Sequence, residues 1–268
     1  MRTIRTVAEL RDALAPAHAS RRQVGLVPTM GAFHDGHLAL IRTARAGDGV
    51  VVVSLFLNPA QFGPTEDLAR YPRDEARDAE LAAAEGVDIL FAPPAAEMYP
   101  PGFDTWVDPG ALATILEGAV RPGHFRGVAT VCTRLFSLVQ PARAYFGRKD
   151  AQQVAVVRQV VRDLGLPLDI VAVPTVRDAD GLASSSRNTY LSAADREVAL
   201  ALPRALQAGL AAHLAGGDPE ATARAALGAE PRLSLEYVAL ADLDGPTLAA
   251  AVRVGGTRLI DNVRIGTE

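Results

Sequence analysis

The chain has 268 residues, of which 49% are hydrophobic and 5% aromatic, enough to build one large domain or two modest ones and too many for a disordered chain. Its 27 basic and 31 acidic residues give a net charge of −4, which excludes a strong general attraction to nucleic acid. Any anionic ligand must therefore be held by a local positive site.

The cysteine content and the hydropathy indicate the compartment. The only cysteine, Cys132, lies in the apolar run Val128–Val139, where we expect a buried thiol. A single cysteine excludes an intrachain disulfide and is typical of a reducing compartment. The N-terminus lacks a signal-peptide pattern, and no segment approaches the roughly 20 apolar residues of a membrane span. We therefore expect a cytoplasmic protein without a membrane segment.

The first two thirds of the sequence alternate between strand-like and helix-like patterns. Val50–Leu57 is nearly all apolar, as in a buried parallel strand, and the stretch from His37 to Ala46 places apolar residues at helical spacing. The other predicted strands are 24–28, 88–91, 144–146 and 168–173, and the other predicted helices are 73–85, 127–139 and 150–164. This repetition predicts an α/β fold with a Rossmann-like, doubly wound parallel sheet.

The pattern changes after the last of these strands. A polar loop, 177–188, leads into an Ala/Leu/Arg-rich stretch in which Ser192 is a candidate helix N-cap. Two strand-like segments follow, Leu233–Leu240 and Arg253–Ile260, and we expect a short helical piece between them. The predicted domains are residues 1–175, which would bind the ligands, and residues 176–268, a small α+β lid, with the crevice between them as the expected ligand site.

A turn with two histidines follows the first predicted strand. Gly31 and Gly36 allow the backbone to turn tightly. His34 and His37 are three residues apart, so they would share one face of a helical turn, where an N-terminus attracts phosphate. The alternative is a pair of ordinary surface histidines. The zincin motif and a third ligand are missing, which disfavours zinc, and the segment is neither a P-loop nor a dinucleotide fingerprint.

Polar side chains follow two further strands. Asn58 and Gln61 come after the long strand, and their amides can bind both a carboxylate and a hydroxyl group, although Asn-Pro and Gly also form ordinary turns. Lys149 follows another strand and could reach a phosphate as a point charge. The neighbouring Asp150 either caps the next helix or contacts ribose or Mg²⁺.

Two loops carry cationic side chains. The glycine-rich loop 117–127 contains Arg121, His124 and Arg126, which form either a binding cluster or a solvated basic surface. The polar loop 177–188 contains three consecutive serines followed by Arg187. Alone, this second segment is also compatible with a flexible linker.

Taken together, these motifs resemble the pantothenate synthetase family of the nucleotidyltransferase superfamily. Pro-Thr-Met-Gly-x-x-His-x-Gly-His at 28–37 is similar to the superfamily's His-x-Gly-His signature in the form this family carries. The other matching segments are Asn-Pro-x-Gln-Phe at 58–62, Asp-Leu-x-x-Tyr-Pro-Arg at 67–73, Arg-Pro-x-His-Phe at 121–125, Gly-x-Lys-Asp-x-Gln-Gln at 147–153 and Ser-Ser-Arg-Asn at 185–188. The chain departs from the family pattern at Ala151, often aromatic there, and at Ser184, which replaces a methionine.

The resemblance implies an ATP-dependent ligase. Pantoate and ATP would give pantoyl adenylate and pyrophosphate, and β-alanine would then displace AMP to give pantothenate. It also implies a homodimer, and Mg²⁺ held mainly by the ATP phosphates, with Asp150 or Asp78 as candidate contacts.

The same resemblance implies roles for individual residues. The implied catalytic residues are His34, His37 as proton donor, Lys149 and Arg187. The implied ATP contacts are Met30, Gly31, Ala32, Phe33, His34, Asp35, Gly36, His37, Gly147, Arg148, Lys149, Asp150, Val176, Ser184, Ser185, Ser186 and Arg187. The implied pantoate and β-alanine contacts are Asn58, Gln61, Tyr71, Arg121 and Gln153.

Two other functions compete with this one. A different adenylyl- or cytidylyltransferase of the superfamily would keep both histidines but lack the glutamines, so Gln61 and Gln153 argue against it. A non-catalytic nucleotide-binding module would keep the fold and the ATP site without turnover.

Overall fold

The structure is a computed structural model, and it describes residues 1–64 and 66–266. The described chain forms two compact units. The first unit comprises Met1–Gly147 and Val156–Val173, and the second comprises Arg148–Ala155 and the chain from Pro174 onward. Each unit buries a hydrophobic core of its own.

The helices and strands up to Val173 alternate as predicted. In chain order they are β1 (Arg2–Ile4), α1 (Val7–Ala19), β2 (Val24–Thr29), α2 (Asp35–Gly47), β3 (Val50–Leu55), α3 (Glu75–Ala84), β4 (Ile89–Phe91), α4 (Ala95–Met98), α5 (Glu117–Val120), α6 (His124–Val139), β5 (Arg143–Gly147), α7 (Ala151–Asp163) and β6 (Asp169–Val173).

The six strands found among the described residues of the first unit form one parallel sheet with the order β1-β4-β3-β2-β5-β6. The predicted parallel α/β sheet is therefore confirmed. Val50–Ser54 of β3 are all buried, as expected for a strand with both faces covered. The predicted strand 50–57 ends two residues early, at Leu55.

The first 23 residues and the start of α6 hold features that the sequence patterns did not indicate. β1 adds an edge strand beside β4, and Thr6 caps α1. α6 begins at His124 rather than at 127, directly after Gly123, whose φ of +84° is in the left-handed region that glycine favours. Cys132 is buried within α6, as expected.

The strand order places the sheet's switch point beside β2. β2 pairs with β3 on one side and with β5 on the other, so successive strands are added in opposite directions from this point. Open α/β sheets bind ligands beyond the carboxyl ends of strands at such a point. The segments that follow β2, β3 and β5 carry the predicted histidine turn, the amide pair and Lys149.

The second unit contains helices and an antiparallel sheet. Its elements after Val173 are α8 (Ala193–Ala199), α9 (Ala201–Leu214), α10 (Pro219–Gly228), β7 (Leu233–Asp242), β8 (Pro246–Val254) and β9 (Thr257–Arg264). Ser192 caps α8 as predicted, because its Oγ accepts the Asp195 N–H at 3.1 Å.

Two predictions for this sheet were wrong. The piece expected to be helical is strand β8, and the predicted strand Arg253–Ile260 spans the end of β8, a turn at Gly255 and the start of β9. Ala249–Ala251 favour a helix by intrinsic propensity, but they are buried between β7 and β9 and pair with both. Tertiary pairing therefore overrides the local preference of the alanines.

None of the helices in the described part of the chain is long and apolar enough to cross a membrane.

Candidate active site

The histidine turn between β2 and α2 is held by the carboxylate of Asp78 on α3. Gly31 and Ala32 both have positive φ, +93° and +54°. This backbone conformation directs the N–H groups of Ala32 and Phe33 toward the Asp78 carboxylate. Its oxygens accept the Ala32 N–H at 2.8 Å and the Phe33 N–H at 2.7 Å. Burial raises the pKa of Asp78, and the two N–H groups oppose that rise. Asp78 therefore fixes the backbone from which the histidines project.

The backbone around α2 sets the tautomers of both histidines. His34 is the N-cap of α2, and its Nδ1 accepts the Gly36 N–H at 3.1 Å. His37 Nδ1 faces the His34 N–H at 3.4 Å, and the two ring centroids are 4.1 Å apart. Because Nδ1 is the acceptor in each neutral ring, Nε2 carries the proton. Both rings therefore present N–H donors at a helix N-terminus.

The amide pair after β3, Asn58 and Gln61, is buried and hydrogen-bonded. Asn58 is 1% exposed and caps the short 3₁₀ turn Pro59–Gln61. Its Nδ2 donates to Gln61 Oε1 at 3.0 Å and to the Gly127 carbonyl at 3.2 Å. Its Oδ1 accepts the Ala60 N–H at 3.2 Å and the Tyr99 hydroxyl at 2.7 Å. Both polar atoms of Asn58, a predicted ligand contact, are therefore hydrogen-bonded to neighbouring protein groups.

A second network holds the backbone of Gln61. His124 is buried, and its Nδ1 lies 2.9 Å from the Gln61 carbonyl, while Arg121 Nη1 lies 3.2 Å from His124 Nε2. Arg121 also donates twice to the Glu66 carboxylate, at 3.0 and 2.5 Å. Although burial opposes it, this contact lowers the pKa of Glu66. The predicted ligand contact Arg121 is thus paired with Glu66 and joins the Gln61 site.

These partners require a neutral His124 with its proton on Nδ1. Burial, and then the Arg121 charge, lower its pKa to about 4. An unfolded chain would protonate this imidazole near pH 6.5, whereas the folded chain would not do so until about pH 4. The unfolded state therefore binds more protons in this window, and stability falls as the pH falls.

We expect His124 to contribute about 3 kcal/mol of stability above pH 6.5 that is lost between pH 6.5 and 4. The measurement is urea unfolding of wild type and His124→Asn across pH 4 to 8, followed by fluorescence of the only tryptophan, Trp106, which lies in the first unit. The two stability curves should run parallel above pH 7 and converge in acid. Curves that stay parallel throughout would contradict this assignment, since the two proteins differ only at residue 124.

Tyr71, a predicted wall of the substrate pocket, is buried in the first unit. Its ring packs edge-on against Phe62, with centroids 6.0 Å apart. Met30 lies half-buried at the start of the histidine turn. Their proposed ligand contacts stay predictions.

In the second unit, the turn that carries Lys149 is held by strand β9. Arg148–Asp150 form a 3₁₀ turn ahead of α7, and Asn262 Nδ2 lies 2.9 Å from the carbonyl oxygens of both Arg148 and Lys149. Lys149 Nζ lies 3.7 Å from Asp150 Oδ1. Gln153 is half-buried in the first turn of α7.

Replacing Asn262 with alanine should impair the use of ATP before it impairs folding. The change removes the donor that fixes the Lys149 backbone, so we expect KM for ATP to rise about tenfold. Steady-state kinetics with varied ATP test this, and Asn262→Asp, which keeps the size but cannot donate, should behave in the same way. An unchanged KM for ATP in both variants would show that the contact is structural only.

The serine loop of the second unit is organised around Asp178. Its carboxylate accepts hydrogen bonds from Ser184 Oγ at 2.5 Å, Asn188 Nδ2 at 3.2 Å and Arg196 Nη2 at 2.7 Å. These contacts lower the pKa of Asp178 against the effect of burial. Ser184, which replaces the family methionine, therefore forms a hydrogen bond within the loop.

The remaining loop contacts are mostly local. Ser185 Oγ accepts the Arg187 N–H at 3.3 Å, and Ser186 is buried. The Val176 carbonyl accepts the Ser184 N–H at 2.9 Å. Nucleotide binding by these residues stays a prediction.

The structure also brings in residues to which the sequence reasoning gave no such role. Tyr99 and Gly127 contact Asn58, Glu66 pairs with Arg121, and Asn262 holds the Lys149 turn. Asp78 was considered only for Mg²⁺. Its position in the sequence could have indicated its role in holding the histidine turn, because Asp78 lies four residues before Ala82 and therefore on the same, buried face of the helix.

The described residues do not form a metal cage. Within them, no group of three or more His, Cys, Asp or Glu side chains is arranged to hold an ion. Both oxygens of Asp78 already accept backbone N–H groups. This donor set fits Mg²⁺ only in the form in which it commonly enters proteins with a nucleotide, held by phosphates, water and one carboxylate at most.

Comparison with known proteins identifies the family. The sequence matches the family described as pantoate-beta-alanine ligase over residues 2–264. A pantothenate synthetase from Roseiflexus castenholzii is 54% identical, with 98% of each chain covered. The crystal structure of a pantothenate synthetase from Thermus thermophilus is 50% identical, covers 100% of both chains and superposes with a TM-score of 0.94.

A more distant relative has been solved with ligands. The pantoate-beta-alanine ligase of Francisella tularensis, complexed with beta-gamma ATP and beta-alanine, is 33% identical, with a TM-score of 0.86 and coverage of 100% of this chain and 99% of its own. Sequence and fold thus agree over nearly the whole length, and the chain belongs to the pantoate–β-alanine ligase family.

Proposed function

We propose that the chain performs the ligation of its family, the ATP-dependent joining of pantoate to β-alanine, in two steps. A pantoate carboxylate oxygen attacks the α-phosphorus of ATP, the bond to the β-phosphate breaks, and pyrophosphate leaves. The β-alanine amine then attacks the acyl carbon of pantoyl adenylate, the bond to AMP breaks, and the amine releases a proton. The products are pantothenate, AMP and pyrophosphate.

The observation that carries this proposal is the histidine turn. Two imidazoles present Nε2–H donors at the N-terminus of α2, and a buried carboxylate fixes the backbone that bears them. Donors held in place before the reaction stabilise the charge that develops on the transferring phosphoryl group and the leaving pyrophosphate. His37 is the proton donor in this scheme, and His34 assists it.

The second unit supplies further positive charge. Lys149 lies on a turn braced by β9, and Arg187 follows the serines of a loop braced by Asp178. Both side chains would contact ATP phosphates, where a cation favours charge transfer to the leaving group. Gln61 and Gln153 would bind pantoate, with Gln61 later serving β-alanine.

Mg²⁺ would enter with ATP and shield the phosphate charges. Asp150, with a half-exposed side chain beside Lys149, is the better candidate for its protein ligand, because the oxygens of Asp78 are engaged. We also propose a homodimer in the cytoplasm. Trp106, Ile115 and Val120 expose apolar surface in one stretch of the first unit, as a subunit interface would require.

The test is pyrophosphate release from Mg-ATP by the purified protein with pantoate, with and without β-alanine. Pantoate alone should give slow or single-turnover release, and added β-alanine should make it sustained with matching AMP formation. Pantoate-dependent exchange of labelled pyrophosphate into ATP should confirm a reversible first step. Absence of pantoate-dependent release under every condition would refute the proposal, and release with a different acceptor would favour another nucleotidyltransferase.

A further inference from the structure

The orientation of the Gln61 amide follows from unambiguous backbone groups. The Ala60 N–H can only donate, so the Asn58 atom 3.2 Å from it must be the oxygen. The Gly127 carbonyl can only accept, so the Asn58 atom 3.2 Å from it must be the nitrogen. That nitrogen also lies 3.0 Å from the end of the Gln61 side chain. Since it donates there, the Gln61 atom that it meets is Oε1.

Tyr99 completes this arrangement from behind. Its hydroxyl lies 2.7 Å from Asn58 Oδ1, which has no hydrogen to give, so Tyr99 is the donor. Burial raises the pKa of Tyr99 to about 12, so the hydroxyl keeps its proton at physiological pH. The ring is held by Phe56, Phe103 and Trp106, with centroid separations of 6.1, 5.1 and 6.4 Å.

The backbone carbonyl of Gln61 is also held by neighbouring side chains, which leaves the side-chain Nε2 for a ligand. His124 and Arg121 lie 2.9 and 3.4 Å from its carbonyl oxygen. Among the residues that the structure describes, none accepts a hydrogen bond from Gln61 Nε2, and that atom is not a buried orphan. Gln61 therefore directs its oxygen toward Asn58 and keeps two N–H donors for a ligand.

We propose that Tyr99 is a positioning residue that acts through Asn58 to hold Gln61 with its amide nitrogen toward the substrate, so that Gln61 recognises a hydrogen-bond acceptor. This inference rests on the proposed function and deepens it. The matching groups on pantoate are its carboxylate and hydroxyl oxygens. A protonated amine in the same position would face the two N–H hydrogens of Gln61, so the fixed amide favours the oxygen atoms of pantoate or of the β-alanine carboxylate over an ammonium group.

The orientation can be tested without turnover. In ¹⁵N spectra of the full chain, the side-chain amide hydrogens of Asn58 should be protected from exchange with water, and those of Gln61 should exchange readily. Signals can be assigned with Asn58→Asp and Gln61→Glu. Protection of the Gln61 amide together with an exchanging Asn58 amide would overturn the proposal.

The positioning role is tested by kinetics. Tyr99→Phe should raise KM for pantoate about tenfold, while KM for ATP stays within twofold. Asn58→Asp cannot donate to Gln61. The side-chain amide of Gln61 should therefore rotate and exchange the positions of its oxygen and nitrogen, and KM for pantoate should rise at least as much. The control is Tyr145→Phe, which removes a buried hydroxyl donor, 2.5 Å from Asp48, near the opposite ends of the strands.

The outcomes are separable. Equal changes in KM for both substrates, or a fall in kcat alone, in Tyr99→Phe would mean that Tyr99 only supports the fold, and would overturn the positioning role. A wild-type protein inert toward pantoate would refute the proposed function and the substrate assignment with it. The exchange pattern of the two amides would still decide the orientation in that case.

Discussion

Replacing Asp78 with alanine is expected to lower the pantoate-dependent turnover of ATP by a factor on the order of 100 to 1000. The carboxylate accepts the N–H groups of Ala32 and Phe33 at 2.8 and 2.7 Å. Without it, both N–H groups lose this acceptor and the Phe33 N–H is buried, which destabilises the folded state by about 3 kcal/mol. The turn, which already holds a non-glycine residue at positive φ, then loses the contacts that enforce its shape.

The measurement is kcat/KM for ATP at saturating pantoate, together with the stability from urea unfolding. Asp88→Ala is the matched control, because Asp88 also accepts a backbone N–H, from Val51 at 2.8 Å, but near the amino end of β3. It should lose stability and keep most of its turnover. If Asp78→Ala and Asp88→Ala lose turnover to the same extent, the turn does not depend on Asp78. Asp78→Asn should fall between, since it keeps one acceptor.

A methyl group at Gly127 should separate the Pro59–Gln61 turn from α6. A Cβ built at Gly127 would lie 2.3 Å from the Ala60 oxygen and 2.7 Å from Gln61 Cα. These atoms belong to the backbone, so the contact cannot be relieved by a side-chain rotation. Gly127→Ala should therefore destabilise the protein by at least about 3 kcal/mol. Displacement of Gln61 should lower pantoate-dependent turnover at least a hundredfold.

Gly228→Ala is the control, because a Cβ there has nothing within 4 Å and the residue closes helix α10. It should be neutral or slightly stabilising. Trp106 fluorescence during urea unfolding reports on the first unit, and kinetics in the folded range separate lost activity from lost protein. A Gly127→Ala protein with wild-type stability and KM for pantoate would show that α6 and the turn can move apart freely.

The parallel sheet could be predicted because its strands are buried on both faces. Such strands form apolar runs, as in Val50–Leu57, and the polar residues that follow each run are easily distinguished from it in the sequence. The histidine turn, the amide pair and Lys149 were found for this reason. Predictions failed where pairing over a distance outweighed local preference: Ala249–Ala251 carry helical propensity but lie in β8.

The residues that support the site could not be found in the same way, because their role is a contact rather than a pattern. Asp78 is one of many charges on α3, and nothing local distinguishes the one that faces the histidine turn. Tyr99 follows α4 and reaches Asn58 from 41 positions away along the chain. Gly127 looks like an ordinary residue in a glycine-rich loop until its distance to Ala60 is known.

The bracing of the second unit by β9 has a consequence for biosynthesis. Asp261 binds Arg177 from 84 positions further along the chain, and Asn262 holds Lys149 from 113 positions further along. On the ribosome, the first unit and the serine loop are completed well before these two residues emerge, and domains fold as the chain is made. Nascent chains should therefore acquire a settled Lys149 turn only after Asn262 has emerged, 113 residues after Lys149 itself.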